Sequence, residues 1–162
     1  IKEAYPKMRV LADAKIMDGG ALECRYLCEA GADVVTVLAV SDNATIGEVI
    51  ECAHGYGREV LVDLMSVTDI CARSRELVEM GADYIAVHTA FDVQKLGRTP
   101  LGDLSELVSA IDPARAAVAG GVKQETIAAY AALHPGIVIA GAALYGAADI
   151  RQAVIDMKEA LT

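Results

Sequence analysis

Six short apolar runs, each followed by a stretch with helical periodicity, constrain this chain more than any other feature. The predicted strands are Met8–Lys15, Asp33–Leu38, Glu59–Leu64, Asp83–His88, Arg115–Ala119 and Ile137–Ala140. The predicted helices between and after them are Ala21–Ala30, Asn43–His54, Thr68–Met80, Leu101–Ile111, Gln124–Leu133 and a closing amphipathic helix marked by Ile150, Val154, Met157 and Leu161. Ile1–Pro6 reads as the end of a helix, and Leu22, Tyr26, Leu27 and Ala30 as the inward stripe of the first full one. Gly31, Gly55 with Gly57, and Gly81 supply stops. The segment Glu29-Ala-Gly-Ala-Asp-Val-Val-Thr-Val is echoed by Glu79-Met-Gly-Ala-Asp-Tyr-Ile-Ala-Val, each a helix end turning into a strand.

Consecutive βα units make a parallel sheet with right-handed crossovers. Apolar residues are 54% of the chain, with few aromatics and no Trp, which suits strands buried on both faces. One domain spanning residues 1–162 is expected, either a doubly wound sheet or part of a (β/α)₈ barrel. A barrel normally takes about 250 residues, and short ones about 200, so six units leave it two short.

The net charge of −9 argues against a nucleic-acid or acidic-membrane partner, which needs a basic footprint. An anionic substrate would have to be held by backbone amides or single cations. Cys24, Cys28, Cys52 and Cys71 lack metal-ligand spacing and read as reduced thiols of a cytoplasmic protein. No signal peptide or membrane-spanning run is evident in the sequence.

In open α/β sheets and barrels, chemistry sits at the carboxyl ends of the strands. Four of those exits carry unusual residues. The first gives Asp13 and Lys15, two apart and therefore on one face, with Asp18 in the loop beyond; a buried ion pair is the plainer alternative. The fourth gives His88, placed for proton transfer, followed by Thr89 and Asp92. The fifth gives Gly120-Gly121 and the sixth Gly141 with Ala142 and Ala143. Two successive glycine exits suit a phosphate held on backbone N–H groups. Asp63 also ends a strand, either lining the pocket or bonding loop amides, and Thr36 is a further lining candidate. Arg98, in the loop Thr89–Pro100, either reaches an anion or is solvated. His54 and His134 carry no chemical role in this reading.

Ala12-Asp-Ala-Lys-Ile-Met-Asp-Gly-Gly20, Val87-His-Thr-Ala-Phe-Asp92, Gly97-Arg-Thr-Pro100 and Val118-Ala-Gly-Gly-Val122 closely resemble the 3-hexulose-6-phosphate synthases. These belong to the orotidine monophosphate decarboxylase superfamily, as does 3-keto-L-gulonate-6-phosphate decarboxylase. The resemblance runs the length of the chain, in the order of the family's third to eighth units. It implies a (β/α)₈ TIM-type barrel of the ribulose-phosphate-binding kind, here lacking the first two βα units. It implies a homodimer with sites near the interface, and a Mg²⁺-dependent aldol reaction of ribulose 5-phosphate with formaldehyde through an enediolate. Asp13 would ligate the metal and Lys15 would stand beside the enediolate. Asp18 would reach the partner subunit's site, and His88 would handle the aldehyde's proton. Gly120, Gly121, Gly141, Ala142 and Arg98 would bind the phosphate end.

The sister decarboxylase usually has a basic residue near Phe91, so a phenyl ring there favours aldol chemistry. The nucleotide decarboxylase shares the Asp-x-Lys-x-x-Asp element but works without metal. A first-strand Asp and a second-strand Glu of the family are absent, which leaves Asp13 a lone carboxylate ligand. The alternatives are the sister decarboxylase or an inactive barrel fragment whose open sheet exposes two edges and apolar surface.

Overall fold

A computed structural model describes residues 1–97 and 99–161 of the chain. Its strands are β1 (Leu11–Ile16), β2 (Val34–Leu38), β3 (Glu59–Asp63), β4 (Tyr84–His88), β5 (Ala116–Ala119) and β6 (Ile137–Ile139). The helices are α1 (Gly20–Glu29), α2 (Asn43–Gly55), α3 (Ile70–Glu79), α4 (Phe91–Gln94), α5 (Leu101–Ala110), α6 (Ile127–Ala131), α7 (Ala142–Tyr145) and α8 (Ile150–Glu159).

All neighbouring strands are parallel, and their order in the sheet is their order in the chain. A doubly wound sheet reverses its strand order at a switch point; this one never does. Successive right-handed crossovers therefore stack the helices on one face, and the result is a six-stranded half-barrel.

Alternation along each strand sorts the residues between two environments. Val35, Val37, Val60, Val62, Ile85, Val87, Ala116 and Val118 face the helices and join the larger core with Ile46, Val49, Leu77, Leu104 and Leu107. Val34, Leu61, Ala86 and Ala117 form a separate small cluster on the other face, flanked by Leu11, Tyr84 and Ile137. Above that layer, toward the carboxyl ends, the same face carries Asp13, Thr36, Asp63, His88 and Ala119, which line one cavity.

The sequence echo has a structural meaning. Asp33 Oδ2 accepts the Val10 N–H at 2.8 Å, and Asp83 Oδ2 accepts the Val60 N–H at 2.8 Å. Each aspartate thus clamps the start of the preceding strand. Lys2 Nζ (2.7 Å) and Arg58 Nη1 (2.9 Å) bind Asp33, and His54 Nε2 lies 2.9 Å from Asp83. The Lys2 hydrogen bond, followed by the Val10 N–H, holds the Asp33 carboxyl below the usual carboxylate range.

Several expectations change. Ile1–Pro6 forms turns, with the Ala4 and Tyr5 N–H groups on the Ile1 carbonyl, because Pro6 lacks the N–H that would extend the coil. The inward stripe of α1 is Gly20, Cys24 and Cys28, whereas Leu22 and Tyr26 are more than half exposed. A Cβ on Gly20 would lie 2.5 Å from the Thr45 carbonyl oxygen. Helices α1 and α2 approach too closely for large side chains, and Leu22 and Tyr26 are turned outward. The loop after His88 contains α4, and the loop after Gly141 contains α7.

The helix expected over Gln124–Leu133 shortens to Ile127–Ala131, because the Thr126 hydroxyl and the Lys123 backbone bond one another and form a turn ahead of it. Among the described residues the four cysteines are free thiols, and burial pushes the Cys24 thiol well above the usual range and raises that of Cys28. No described helix is long and apolar enough to cross a membrane.

Candidate active site

The cavity at the carboxyl ends of the strands has a volume of about 590 Å³. Its first wall is β1, where the pairing register with β2 slips between Ala12 and Ile16. Lys15 takes up the slip in the left-handed region, at φ +49°. That conformation is unusual for a residue with a Cβ and costs roughly 1–2 kcal/mol. Thr36, buried on β2, offsets it. Its Oγ1 accepts the Lys15 N–H at 2.9 Å, and the hydroxyl lies 3.2 Å from the Ala12 carbonyl oxygen as donor. One hydroxyl thus replaces ladder contacts that the bulge removes.

The bulge turns Lys15 back over Asp13. Lys15 Nζ lies 2.6 Å from both Asp13 carboxylate oxygens. Asp13 keeps more than half of its side chain exposed to the cavity, and Lys15 about a quarter. On its far side the ammonium is 3.9 Å from Asp63 Oδ2.

Asp63 is the most buried group of the set and both of its oxygens are engaged. Oδ1 accepts the Met65 N–H at 2.9 Å, and Oδ2 accepts from His88 Nδ1 at 2.7 Å. Both alternatives raised for Asp63 therefore hold together: it lines the pocket and it bonds a loop amide. With Nδ1–H committed to Asp63, the neutral imidazole presents Nε2 as its free nitrogen. The four side chains form one chain of contacts, Asp13–Lys15–Asp63–His88, that runs from β1 past β2 to β3 and β4.

The opposite wall comes from the glycine exits. Gly120 and Gly121 have φ of +91° and +75°. A Cβ on Gly120 would lie 2.2 Å from the Thr89 carbonyl oxygen, so only glycine fits. Gly141, Ala142 and Ala143 complete this wall, with Tyr145 and Lys123 beside them. The first amides of α7 have no acceptor within their own helix, which suits an anion on this side.

The site thus brings together Asp13, Lys15, His88, Gly120, Gly121, Gly141 and Ala142. Asp18 is outside it: the carboxylate is exposed in the loop before α1 and accepts the Gly19 N–H at 2.7 Å. Arg98 lies outside the described residues. Phe91 lines the cavity from α4, largely exposed, with Lys95 Nζ 4.9 Å from its ring centroid. Sequence reasoning missed Thr36 as the holder of the Lys15 bulge, Asp63 as the partner of His88, and Gln94 as a lining residue. The signal for Asp63 was available, since it and His88 are the last residues of neighbouring strands.

The donor set at β1 suits a hard divalent cation. Mg²⁺ takes one or two carboxylates and completes its shell with water and substrate oxygens. Asp13, exposed to the cavity at a strand end, fits as one such ligand. Among the described residues no three His, Cys, Asp or Glu side chains cluster tightly enough to hold a metal by themselves.

The model of the orotidine 5′-phosphate decarboxylase / HUMPS family matches residues 1–157. The chain is 40% identical over 159 residues to 3-hexulose-6-phosphate synthase of Bacillus subtilis, covering 98% of this chain and 76% of that protein. The solved 3-hexulose-6-phosphate synthase from Salmonella typhimurium superposes with a TM-score of 0.95 at 48% identity, covering 99% of this chain and 76% of that one. A 3-keto-L-gulonate-6-phosphate decarboxylase from Vibrio cholerae gives a TM-score of 0.83 at 26% identity, covering 99% and 75%.

Proposed function

The chain belongs to the orotidine 5′-phosphate decarboxylase / HUMPS family, and from that premise we propose how its site works. It is an aldehyde-lyase of the 3-hexulose-6-phosphate synthase kind, interconverting ribulose 5-phosphate plus formaldehyde with 3-hexulose 6-phosphate. The observation that carries the mechanism is the Asp13–Lys15–Asp63–His88 contact chain facing two glycine exits across one cavity.

In the synthetic direction the unprotonated Nε2 of His88 takes a C1 proton from ribulose 5-phosphate, and C1 of the resulting enediolate attacks the formaldehyde carbon. The new alkoxide is then protonated, and the former C2 carbonyl becomes the C3 ketone. The phosphate rests on the backbone amides around Gly120, Gly121, Gly141 and Ala142. Lys15 places its positive charge beside the enediolate oxygens, held there by Asp13. His88, kept upright by Asp63 and now carrying that proton on Nε2, hydrogen-bonds the formaldehyde oxygen and returns the proton to the alkoxide. A positioned imidazole contributes typically ~10²- to 10⁴-fold to such a step.

Mg²⁺ is the proposed cofactor, with Asp13 as one ligand; when bound it would supply Lewis-acid stabilisation to vicinal sugar oxygens. Two further βα units are proposed between β6 and β1, lying outside this stretch and bringing a second metal-binding carboxylate. An apolar cleft of about 490 Å³, bordered by Leu11 of β1 and Ile137 and Ile139 of β6, supports them. The chain also spans about three quarters of its relatives' length.

A homodimer is proposed on the face of α1, where Met17, Leu22 and Tyr26 are each more than half exposed beside Asp18. That arrangement would carry Asp18 to the partner subunit's site. The setting is proposed as cytoplasmic, consistent with free thiols.

The test is Mg²⁺-dependent release of formaldehyde from hexulose 6-phosphate, by this chain and by a form extended with two N-terminal βα units. Little activity is expected from the short form and robust activity from the long one. A folded long form that releases none would overturn the assignment.

A further inference from the structure

Gln94 belongs to α4, a short helix that packs beside the glycine turn of β5. Its Nε2 donates to the Thr89 carbonyl oxygen at 2.9 Å. Its side chain also lies against Gly121, where an added Cβ would meet Gln94 Oε1 at 3.2 Å and Cδ at 3.4 Å. It lines the active-site cavity as well. Thr89 is the residue after His88. Its N–H donates to the Ala119 carbonyl at 3.2 Å, and its own carbonyl oxygen is the atom that forbids a side chain on Gly120. The negative end of a backbone dipole therefore sits against the turn proposed to receive the phosphate.

We propose that Gln94 is a positioning residue that caps the Thr89 carbonyl, so that a phosphate dianion can approach the Gly120–Gly121 amides. The proposal rests on the phosphate reading of those glycines given above. An uncapped carbonyl oxygen there would repel the anion. With the cap in place, the Thr89 oxygen beside Gly120 has a lone pair committed to Gln94 Nε2, while Gln94 Oε1 lies beside Gly121. The same bond ties the His88 exit to the phosphate turn, setting the span between the group that handles the proton and the group that holds the tail. Gln94 acts through Thr89 and Gly121; no contact with the reacting carbon is required of it.

Charge at position 94 provides a readout that a purely structural role would not give. Gln94→Met removes the donor at similar size, Gln94→Glu removes it and adds an anion, and Gln94→Lys keeps a donor and adds a cation. The probe is inorganic phosphate, measured both as a competitive inhibitor and by calorimetric binding. Relative to wild type, Gln94→Met should weaken phosphate about tenfold, the upper range for one net hydrogen bond. Gln94→Glu should weaken it further, and Gln94→Lys should hold it at least as tightly as wild type. KM for the sugar phosphate should follow the same order while kcat stays within about threefold, and all three variants should still unfold cooperatively.

Glu and Lys variants that shift phosphate binding in the same direction, or not at all, would overturn the role of Gln94 while leaving the phosphate site standing. Loss of the fold in all three variants would overturn it too, by making Gln94 a structural residue. If wild type itself shows no phosphate inhibition or binding, the phosphate reading and this proposal fall together.

Discussion

Thr36→Val isolates the device that shapes the lysine. Valine matches threonine in shape but has no hydroxyl, and position 36 is only 2% exposed, so neither crowding nor a new cavity results. Three contacts disappear: the acceptor for the Lys15 N–H at 2.9 Å, the contact to the Ala12 carbonyl at 3.2 Å and that to Asp13 Oδ1 at 3.3 Å. A partly buried N–H left without a partner costs roughly 1–3 kcal/mol. Nothing then opposes relaxation of the left-handed Lys15 backbone, itself strained by about 1–2 kcal/mol, and relaxation would recover part of the loss by moving the side chain.

The net expectation is a destabilisation of about 1–3 kcal/mol, or a Tm lower by roughly 2–10 °C in a chain of this size. A fall in kcat of tenfold or more should accompany it as Nζ leaves Asp13. Thr36→Ser keeps the hydroxyl and should retain kcat within about threefold while losing about 1 kcal/mol for the missing methyl. Denaturant melts and steady-state kinetics on the pair decide the matter. A Val variant as stable and active as wild type would refute the idea that this hydroxyl holds the bulge.

Other substitutions probe neighbouring parts. Asp63→Asn retains an acceptor for the Met65 N–H but removes the charge that orients His88, so kcat should fall about 10²-fold or more with KM nearly unchanged; an unaltered kcat would remove Asp63 from the mechanism. Phe91→Arg should raise carbon dioxide release from 3-keto-L-gulonate 6-phosphate, and if an active parent gains none, Phe91 does not separate the two chemistries.

Because Asp33 is held below its ordinary value by Lys2 and the Val10 N–H, its contribution is complete above the unfolded carboxylate value and is lost as pH falls through the folded one. Thermal melts should therefore show wild type above Asp33→Asn at neutral pH, with the gap closing below about pH 4. A gap independent of pH would assign the difference to something other than that ionisation.

The local physics of the strands was plain in the sequence. Runs such as Val34–Leu38 and Tyr84–His88 carry their own periodicity and glycine stops, and the structure moves their ends by only a few residues. Strand order was not local information: the same six units suit a doubly wound sheet, and only long-range pairing makes the order sequential. Leu22 and Tyr26 misled because the α1–α2 approach is set by Gly20, a residue whose effect lies in the side chain it lacks.

The candidate site divides in the same way. Asp13, Lys15, His88 and the glycines announce themselves as polar or conformationally free residues at strand exits. Thr36 does not, since its role depends on a bulge that no residue type in β1 encodes. Gln94 sits in a stretch whose four helical residues are too few for periodicity to register. The Gly-Ala-Asp echo is plain in the sequence, but its purpose, an aspartate clamping an amide at the start of the previous strand, needed the sheet.

The most direct measurement is ¹³C NMR of the barrel-length protein incubated with ¹³C-formaldehyde, ribulose 5-phosphate and Mg²⁺, beside its Lys15→Ala and His88→Gln variants. Label should appear in the terminal hydroxymethyl carbon of hexulose 6-phosphate with wild type and be strongly suppressed in both variants. Incorporation at the wild-type rate in either variant would contradict the assigned roles, and its absence from folded wild type would contradict the aldol chemistry itself.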